Sequence, residues 1–214
     1  MSIPWFPVYL FDLDGTLVDS WRDITGAIRS VIAETPQSGD PVTDEFLRAY
    51  IGRHLIDLFL DLGYEREQID PMVVNYRHIY AARHHANTVR YPGVKEGLAA
   101  LGGRKSTATT KGTPMTRVVL EKYELLEYFD HVQGTDGFPA KPEPDVVLAS
   151  LRIFDVDPKD VLFVGDAPAD MEAGRRAGVK TCAVRYGYGT EADLAKWEPD
   201  YWIDDLRELS ASAR

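Results

Sequence analysis

The sequence predicts an α/β protein: a Rossmann-like parallel sheet core with helices on both faces, interrupted by one all-helical insertion. The first apolar, β-branched and aromatic run, Val8–Phe11, is typical of a buried parallel strand. From residue 91 onward, strand and helix patterns alternate, whereas residues 19–87 show helical periodicity only. The expected domains are therefore a core of residues 1–18 and 88–214 and a helical insertion of residues 19–87.

Size and composition indicate a globular protein. The 214 residues are 44 % hydrophobic, enough for a core domain with a sizeable insertion. No apolar run reaches the roughly 18 residues that a membrane-spanning helix needs, and no signal-peptide pattern opens the chain, so we expect no membrane contact and a cytoplasmic location. The single cysteine, Cys182, excludes an intramolecular disulfide, and we expect it to pack in the core.

The charge balance argues against nucleic acid as a partner. Lys and Arg number 24 against 34 Asp and Glu, which gives a net charge of −10 at pH 7, the wrong sign for a phosphate backbone. A small phosphorylated substrate remains compatible, because a divalent cation and a few placed donors can invert the local potential. We expect a monomer or a homodimer.

Two carboxylates close the first strand. Val8–Phe11 stops at Asp12, and Asp14 and Gly15 follow directly. The carboxyl ends of parallel strands form the edge where such sheets bind ligands. Two like charges this close repel one another, so a shared proton or a cation is expected between them. A plain Asp-Gly turn would explain Asp14 but not Asp12, and the chemical interpretation is therefore favoured.

The insertion is expected to contain several helices. Apolar residues recur at three- and four-residue steps after residue 20, and Pro- or Gly-containing breaks fall at residues 36–41, 51–53 and 62–64. The last helix is predicted over residues 65–85, with a disturbance at Pro71 in its first turns. In the core, the predicted strands after the first are 105–109, 130–134, 161–164, 179–184 and 201–203, and the predicted helices are 94–101, 114–123, 144–154 and 168–177.

A second buried strand ends in the same way as the first. The run 161–164 leads to Asp166, and Asp170 follows at the start of a helix. With Asp12 and Asp14, four carboxylates then lie at the ends of two strands, and hard oxygen ligands in this number suit Mg²⁺. A structural alternative is that Asp166 caps the helix and Asp170 complements its dipole.

Four short motifs, in chain order, resemble those of the haloacid dehalogenase superfamily. They begin at residues 12, 109, 140 and 165 and read DLDGTLVDS, TTK, AKPEP and GDAPAD. The chain is similar in particular to the branch that contains phosphoglycolate phosphatase and β-phosphoglucomutase. It departs from that branch at Thr110, where an asparagine is common.

The resemblance implies a Mg²⁺-dependent phosphatase of small phosphorylated metabolites. Asp12 would be the nucleophile that forms an aspartyl-phosphate, and Asp14 the general acid and base. The implied Mg²⁺ ligands are Asp12, the backbone carbonyl of Asp14, Asp166 and Asp170. The implied phosphate-binding groups are Thr109, Thr110, Lys141 and the amides around Gly15.

The insertion resembles the mobile cap domain of this family, which closes over the site and contacts the leaving group. Arg53 follows a glycine where related caps place a substrate loop, so we expect it to meet a second anionic group of the substrate. Two other functions stay open: a phosphosugar mutase, with the same chemistry, and a receiver-like signalling domain, against which the large insertion and Asp14 count. A non-catalytic binding module is a further alternative.

Overall fold

The protein is described here from a computed structural model, which describes residues 3–36, 41–48 and 50–212. Its strands are β1 (Val8–Phe11), β2 (Val18–Asp19), β3 (Val89–Arg90), β4 (Arg104–Thr107), β5 (Val161–Gly165), β6 (Lys180–Val184) and β7 (Tyr201–Ile203). Its α-helices are α1 (Trp21–Glu34), α2 (Asp44–Arg48), α3 (Leu55–Asp61), α4 (Arg66–Ala82), α5 (Val94–Ala100), α6 (Thr113–Lys122), α7 (Asp145–Phe154), α8 (Pro168–Ala177) and α9 (Glu191–Ala195). None of these described helices is both long and apolar enough to cross a membrane.

The predicted parallel sheet is confirmed. Five strands lie in the order β4-β1-β5-β6-β7, and every neighbouring pair is parallel. Phe11, the last residue of β1, pairs with Thr107 of β4 on one side and Val164 of β5 on the other. Because β1 and β5 are neighbours and point the same way, the residues that follow them, Asp12 and Asp166, come together at one edge.

Helices cover both faces of the sheet, as predicted. Val8 and Leu10 of β1 pack in an apolar cluster with α7 and α8. Tyr9 and Phe11 point to the opposite face and pack with α5 and α6. This alternation follows from the two-residue period of a strand and explains why β1 is apolar at every position. Cys182 of β6 is buried in the second cluster, in agreement with its expected packing role.

The helices α1 to α4 of the insertion share an apolar cluster of their own. Ile28, Leu47, Phe59 and Ile69, one from each helix, are buried in it. The cluster also contacts partly buried side chains of the sheet core, among them Met115. The insertion is therefore packed internally while it rests on the core beside the carboxyl ends of the strands.

The disturbance expected at Pro71 does not occur. Helix α4 runs without interruption from Arg66 to Ala82 with the proline inside it. The proline lacks only the N–H that would bond to the carbonyl of Glu67, and Glu67 is an exposed residue of the first turn, where water can satisfy that carbonyl.

The predicted strand at residues 130–134 is wrong. Only an isolated bridge between Ser106 and His131 is formed there. The Thr107 hydroxyl instead donates to Gln133 O and accepts from Gln133 N, both at 2.9 Å. A side chain thus takes the backbone groups that a strand ladder would have used.

A two-stranded antiparallel pair, not predicted, marks where the chain leaves and re-enters the core. Strands β2 and β3 pair with Val18 opposite Arg90. Beside this pair, the buried Asp23 accepts hydrogen bonds from Asn87 N at 2.9 Å and Thr88 Oγ1 at 2.8 Å. Burial alone would raise the pKa of Asp23, but these hydrogen bonds outweigh it and lower the pKa. Asp23 therefore connects the segment in which the chain enters the insertion to the segment in which it returns to the core.

Candidate active site

Three buried carboxylates meet at the carboxyl edge of the sheet. Asp12 follows β1, Asp166 follows β5, and Asp170 lies in the first turn of α8. Each offers an oxygen within 4.8 Å of the others. The parallel register of β1 and β5 brings the first two together, and the short loop into α8 returns the third to the same point.

Lys141, on the loop before α7, is the cation of this cluster. Its ammonium lies 2.8 Å from Asp12 Oδ1 and 2.5 Å from Asp170 Oδ1, and its side chain is 0 % exposed. Burial would lower the pKa of Lys141, but the two carboxylates outweigh it and raise the pKa, so the ammonium stays charged. Lys141 is therefore fully buried and doubly paired, unlike the solvated surface position that is usual for a lysine.

The three carboxylates together carry more negative charge than the single Lys141 ammonium can neutralise. Burial, with the charges of Asp170 and Asp14, raises the pKa of Asp12 to about 6 although Lys141 opposes the shift. Burial, with the charges of Asp170 and Asp12, raises the pKa of Asp166 well above its ordinary value. Asp12 Oδ1 is buried and, apart from the lysine ion pair, receives no well-aligned hydrogen bond from the described residues. A buried anionic oxygen in an excess of negative charge fits a divalent cation.

Asp14 does not join this cluster with its side chain. Its Oδ2 lies 2.9 Å from the Lys111 ammonium, and its Oδ1 accepts a 2.6 Å hydrogen bond from Ser20 Oγ. The expectation of four converging carboxylates is thus corrected to three. Strand alternation ends at Phe11, so Asp12 and Asp14 turn towards different lysines.

Asp170 combines the two roles considered for it. Its Oδ2 accepts from Asp166 N at 3.1 Å and Ala167 N at 2.9 Å, the backbone groups that precede α8, while Oδ1 pairs with Lys141. The carboxylate therefore organises the loop at the helix start and also adds negative charge to the cluster.

The Asp166 carboxylate is fixed by the loops around it. Thr16 Oγ1 donates to Oδ1 at 2.8 Å, and Tyr188 N donates to Oδ2 at 2.9 Å. Gly15 has φ +95°, and a Cβ there would lie 2.2 Å from Asp166 Oδ2, so only glycine permits this approach. The Gly15 amide donates to Val18 O at 2.8 Å and is already engaged, contrary to its expected phosphate contact.

The two threonines after β4 have different surroundings. Thr109 is buried, and its Oγ1 accepts from Lys111 N at 3.3 Å; within the described ranges, no donation by this hydroxyl is found. It can therefore still donate to a phosphoryl oxygen. Thr110 is half-buried and lines a cavity between the insertion and the core.

Two residues that contact Asp14 were not among the predicted site residues. Ser20 stands at the N-cap position of α1, but it makes no side-chain cap bond and uses its hydroxyl for Asp14. Lys111 ends the second motif, in the loop that follows β4 at the carboxyl edge of the sheet, and this position was the available signal. Its ammonium also donates to Tyr80 Oη of α4 at 3.1 Å. Lys111 thus connects Asp14, the expected general acid and base, to Tyr80 of the insertion.

The cavity next to this link has a volume of about 680 Å³. Asp14 and Lys111 belong to its wall, and so does Arg53, as a substrate-contacting residue would. Arg53 is exposed, and its guanidinium carbon lies 4.5 Å from the centre of the Tyr50 ring. The next residue, His54, accepts from Ile56 N at 3.2 Å and caps α3.

Comparisons with known proteins agree with this geometry. A sequence profile of the haloacid dehalogenase-like hydrolases matches residues 9–184. The chain is 33 % identical to phosphoglycolate phosphatase 1 of Pseudomonas aeruginosa, with 94 % of this chain and 77 % of that protein covered. It is 34 % identical to the phosphoglycolate phosphatase of Aquifex aeolicus, with 94 % of each covered.

A solved structure is similar over nearly the whole chain. The haloacid dehalogenase-like family hydrolase of Streptococcus pneumoniae superposes with a TM-score of 0.87 at 26 % identity, covering 98 % of this chain and 99 % of that one. The order of the strands, the buried acidic cluster and these similarities lead to one conclusion. The chain belongs to the haloacid dehalogenase-like hydrolase family.

Proposed function

We propose that this hydrolase is a Mg²⁺-dependent phosphatase of small phosphorylated metabolites that acts through an aspartyl-phosphate. The observation that carries the proposal is Asp12, whose buried Oδ1 lies beside Lys141 and within the acidic cluster. The reaction class is hydrolysis of a phosphoric monoester. Because relatives at 33–34 % identity are phosphoglycolate phosphatases, phosphoglycolate is the first substrate to test. A cytoplasmic location and a monomeric or homodimeric state stay predictions.

The proposed mechanism assigns two steps to two carboxylates. An Asp12 oxygen attacks phosphorus in line, and the ester bond breaks as Asp14 gives a proton to the leaving alcohol oxygen. Asp14 then takes a proton from water, whose oxygen attacks the same phosphorus, releases inorganic phosphate and regenerates Asp12. Thr109 and Lys141 would hold the phosphoryl oxygens, and Lys111 and Ser20 orient Asp14.

The residues that would hold Mg²⁺ are Asp12, Asp166, the backbone carbonyl of Asp14 and Asp170. When bound, the ion supplies positive charge that offsets the repulsion between the carboxylates and the substrate phosphate. Asp170 already accepts from Lys141 and two backbone amides, so it would reach the ion directly or through water.

Replacement of Asp166 by alanine is expected to lower the affinity for Mg²⁺. Binding of Mg²⁺ to the folded state alone stabilises it by about 2.7 kcal/mol at 100 times the Kd, which raises the Tm. In Asp166→Ala this Mg²⁺-dependent rise should be largely lost, and half-maximal activity should need roughly tenfold more Mg²⁺ or more. Asp70→Ala, at an exposed position of α4, is the control. An unchanged Mg²⁺ response in Asp166→Ala would remove this residue from the metal site.

Lys111→Met is expected to slow the step that needs a proton. The variant keeps the side-chain length but removes the ion pair with Asp14, so kcat should fall roughly 10- to 100-fold. The loss should be larger for an alkyl ester than for an aryl ester, whose phenolate leaves without a proton. Lys159→Met, at an exposed lysine, is the matched control. Equal losses on both esters would argue for a purely structural role of Lys111.

A screen of phosphorylated metabolites with Mg²⁺, read as phosphate release, tests the proposed function. We expect steady release that stops with a chelator and needs no bisphosphate activator. A requirement for a bisphosphate, with isomerised sugar phosphate as product, would favour the mutase. A long-lived phosphorylated Asp12 without turnover would favour the receiver-like alternative.

A further inference from the structure

The cavity beside Asp14 is larger than the leaving group of phosphoglycolate requires. Its volume of about 680 Å³ lies within the roughly 300–1,000 Å³ of pockets for drug-sized ligands. At about 30 Å³ per water molecule, it corresponds to roughly 20 waters. Glycolate, with two carbons, would occupy a small part of this space. The site therefore has room for a much larger alcohol.

Apolar side chains from both parts of the protein form much of the wall. They are Ile24, Ile28, Leu55, Leu58, Val73 and Met115. The first five come from α1, α3 and α4 of the insertion, and the sixth comes from α6 of the core. Apolar surface in contact with water is unfavourable by about 25 cal/mol per Å², so an apolar group that covers it gains affinity. Glycolate, a charged and hydrophilic molecule, would not.

An aromatic wall joins this apolar region to the reacting end. The rings of Tyr76 and Tyr80 are stacked, with centroids 5.7 Å apart and planes at 16°. Both line the cavity, and Tyr80 Oη receives the hydrogen bond from Lys111, which in turn pairs with Asp14. An alcohol whose oxygen takes a proton from Asp14 therefore begins beside these rings. Tyr80 is almost fully buried, so the partly exposed Tyr76 is the ring of this pair that a ligand can contact, and an aromatic side chain there favours a ring-bearing ligand.

We propose that the preferred substrates are phosphoric monoesters of alcohols that carry a bulky, largely apolar, ring-bearing group, ahead of phosphoglycolate. The inference rests on the proposed function, because the phosphoryl chemistry at Asp12 is the same for every ester. Only the group that leaves with the oxygen differs. Arg53 and Arg77 also line the cavity but belong to exposed residues, so their guanidinium groups can stay hydrated while a ring covers the apolar wall.

The test compares esters whose intrinsic reactivity is matched. 2-Phenylethyl phosphate and ethyl phosphate are both esters of primary alcohols, so a difference in kcat/KM reports the binding of the ring rather than the quality of the leaving group. With Mg²⁺ and the full chain, we expect kcat/KM to be roughly 10- to 100-fold higher for 2-phenylethyl phosphate than for ethyl phosphate, and higher than for phosphoglycolate.

A pair of neighbouring variants locates the effect. Val73→Trp fills the cavity, whereas Val74→Trp adds the same bulk at a side chain that is 51 % exposed and does not line it. The 2-phenylethyl to ethyl ratio should fall about tenfold or more in the first variant and stay unchanged in the second. Met115→Trp repeats the test from the core side, so the result does not depend on one variant folding.

The outcomes separate this inference from the proposed function. No phosphate release from any ester overturns both. Release that is equal for the two esters, or that favours phosphoglycolate, overturns the inference alone. A ratio that survives in both Val73→Trp and Met115→Trp, with folding verified by circular dichroism, overturns the placement of the ring in this cavity.

Discussion

Replacement of Asp12 by asparagine is expected to lower the rate of phosphate release on the order of 10⁴-fold or more. The amide has nearly the volume of the carboxylate but cannot attack phosphorus. The buried position next to Lys141 is kept, so the variant tests the chemistry rather than the packing. The direct measurement is mass spectrometry of enzyme quenched with acid during turnover. The peptide that contains Asp12 should carry a phosphoryl group in the parent and none in the variant.

Two further variants test whether Asp12 is the nucleophile. Asp70→Asn, on the exposed surface of α4, should retain both activity and the adduct. In Asp14→Asn, where the second step lacks its base, the phosphoryl adduct on Asp12 should accumulate relative to the parent with an activated aryl ester. A phosphoryl group mapped to another carboxylate, or full turnover by Asp12→Asn, would exclude Asp12 as the nucleophile.

Replacement of Lys141 by methionine is expected to cause the largest loss of stability. It leaves Asp12 and Asp170 buried without their shared cation, and breaking a buried ion pair in this way typically costs 3–5 kcal/mol, so we expect about 3–5 kcal/mol less free energy of unfolding. Urea unfolding in the presence of a chelator measures it. Lys180→Met is the control, because that lysine is half-exposed in its pair with Asp200 and should contribute at most about 1 kcal/mol.

The same variant has a defined pH dependence. Burial raises the pKa of Asp12 to about 6 even with the lysine present, and removal of the lysine raises it further. A carboxyl whose pKa is higher in the folded than in the unfolded state binds more protons when folded. It therefore lowers the free energy of unfolding by its full amount above that pKa and by less as the pH falls. The loss in Lys141→Met should therefore be smaller at pH 5 than at pH 8. A loss that is constant with pH would contradict the charge argument, and Asp12→Asn in the same background should recover part of the stability.

The main features of the core could be predicted from the sequence because they follow from local patterns. A buried parallel strand that ends in a carboxylate places that carboxylate at the ligand-binding edge, and this holds for both Asp12 and Asp166. Asp170 could be predicted as well, because it lies four residues after Asp166 at the start of a helix, where its side chain can face back to the same point. Lys141 was predicted from the resemblance of its short motif to a known family, and only the structure shows its ion pairs with two carboxylates.

Interactions within the loops could not be predicted in this way. Ser20 has the identity of a helix cap but bonds to Asp14, while the Tyr188 hydroxyl accepts from Ser20 N and Trp21 N at the start of α1. The Gly15 amide is engaged by Val18 O. Each of these groups has several chemically suitable partners, and at the start of α1 the partner is Tyr188, which is distant in sequence.

The sequence by itself determined the α/β class, the helical insertion and the residues at the ends of β1 and β5, because strand and helix periods and short motifs are local properties. The tertiary structure alone decided that three carboxylates rather than four converge, that Lys111 connects Asp14 to Tyr80, and that a large apolar cavity opens beside them. These features depend on how the insertion packs against the core. That packing is set by contacts between side chains far apart along the chain, which no local pattern encodes.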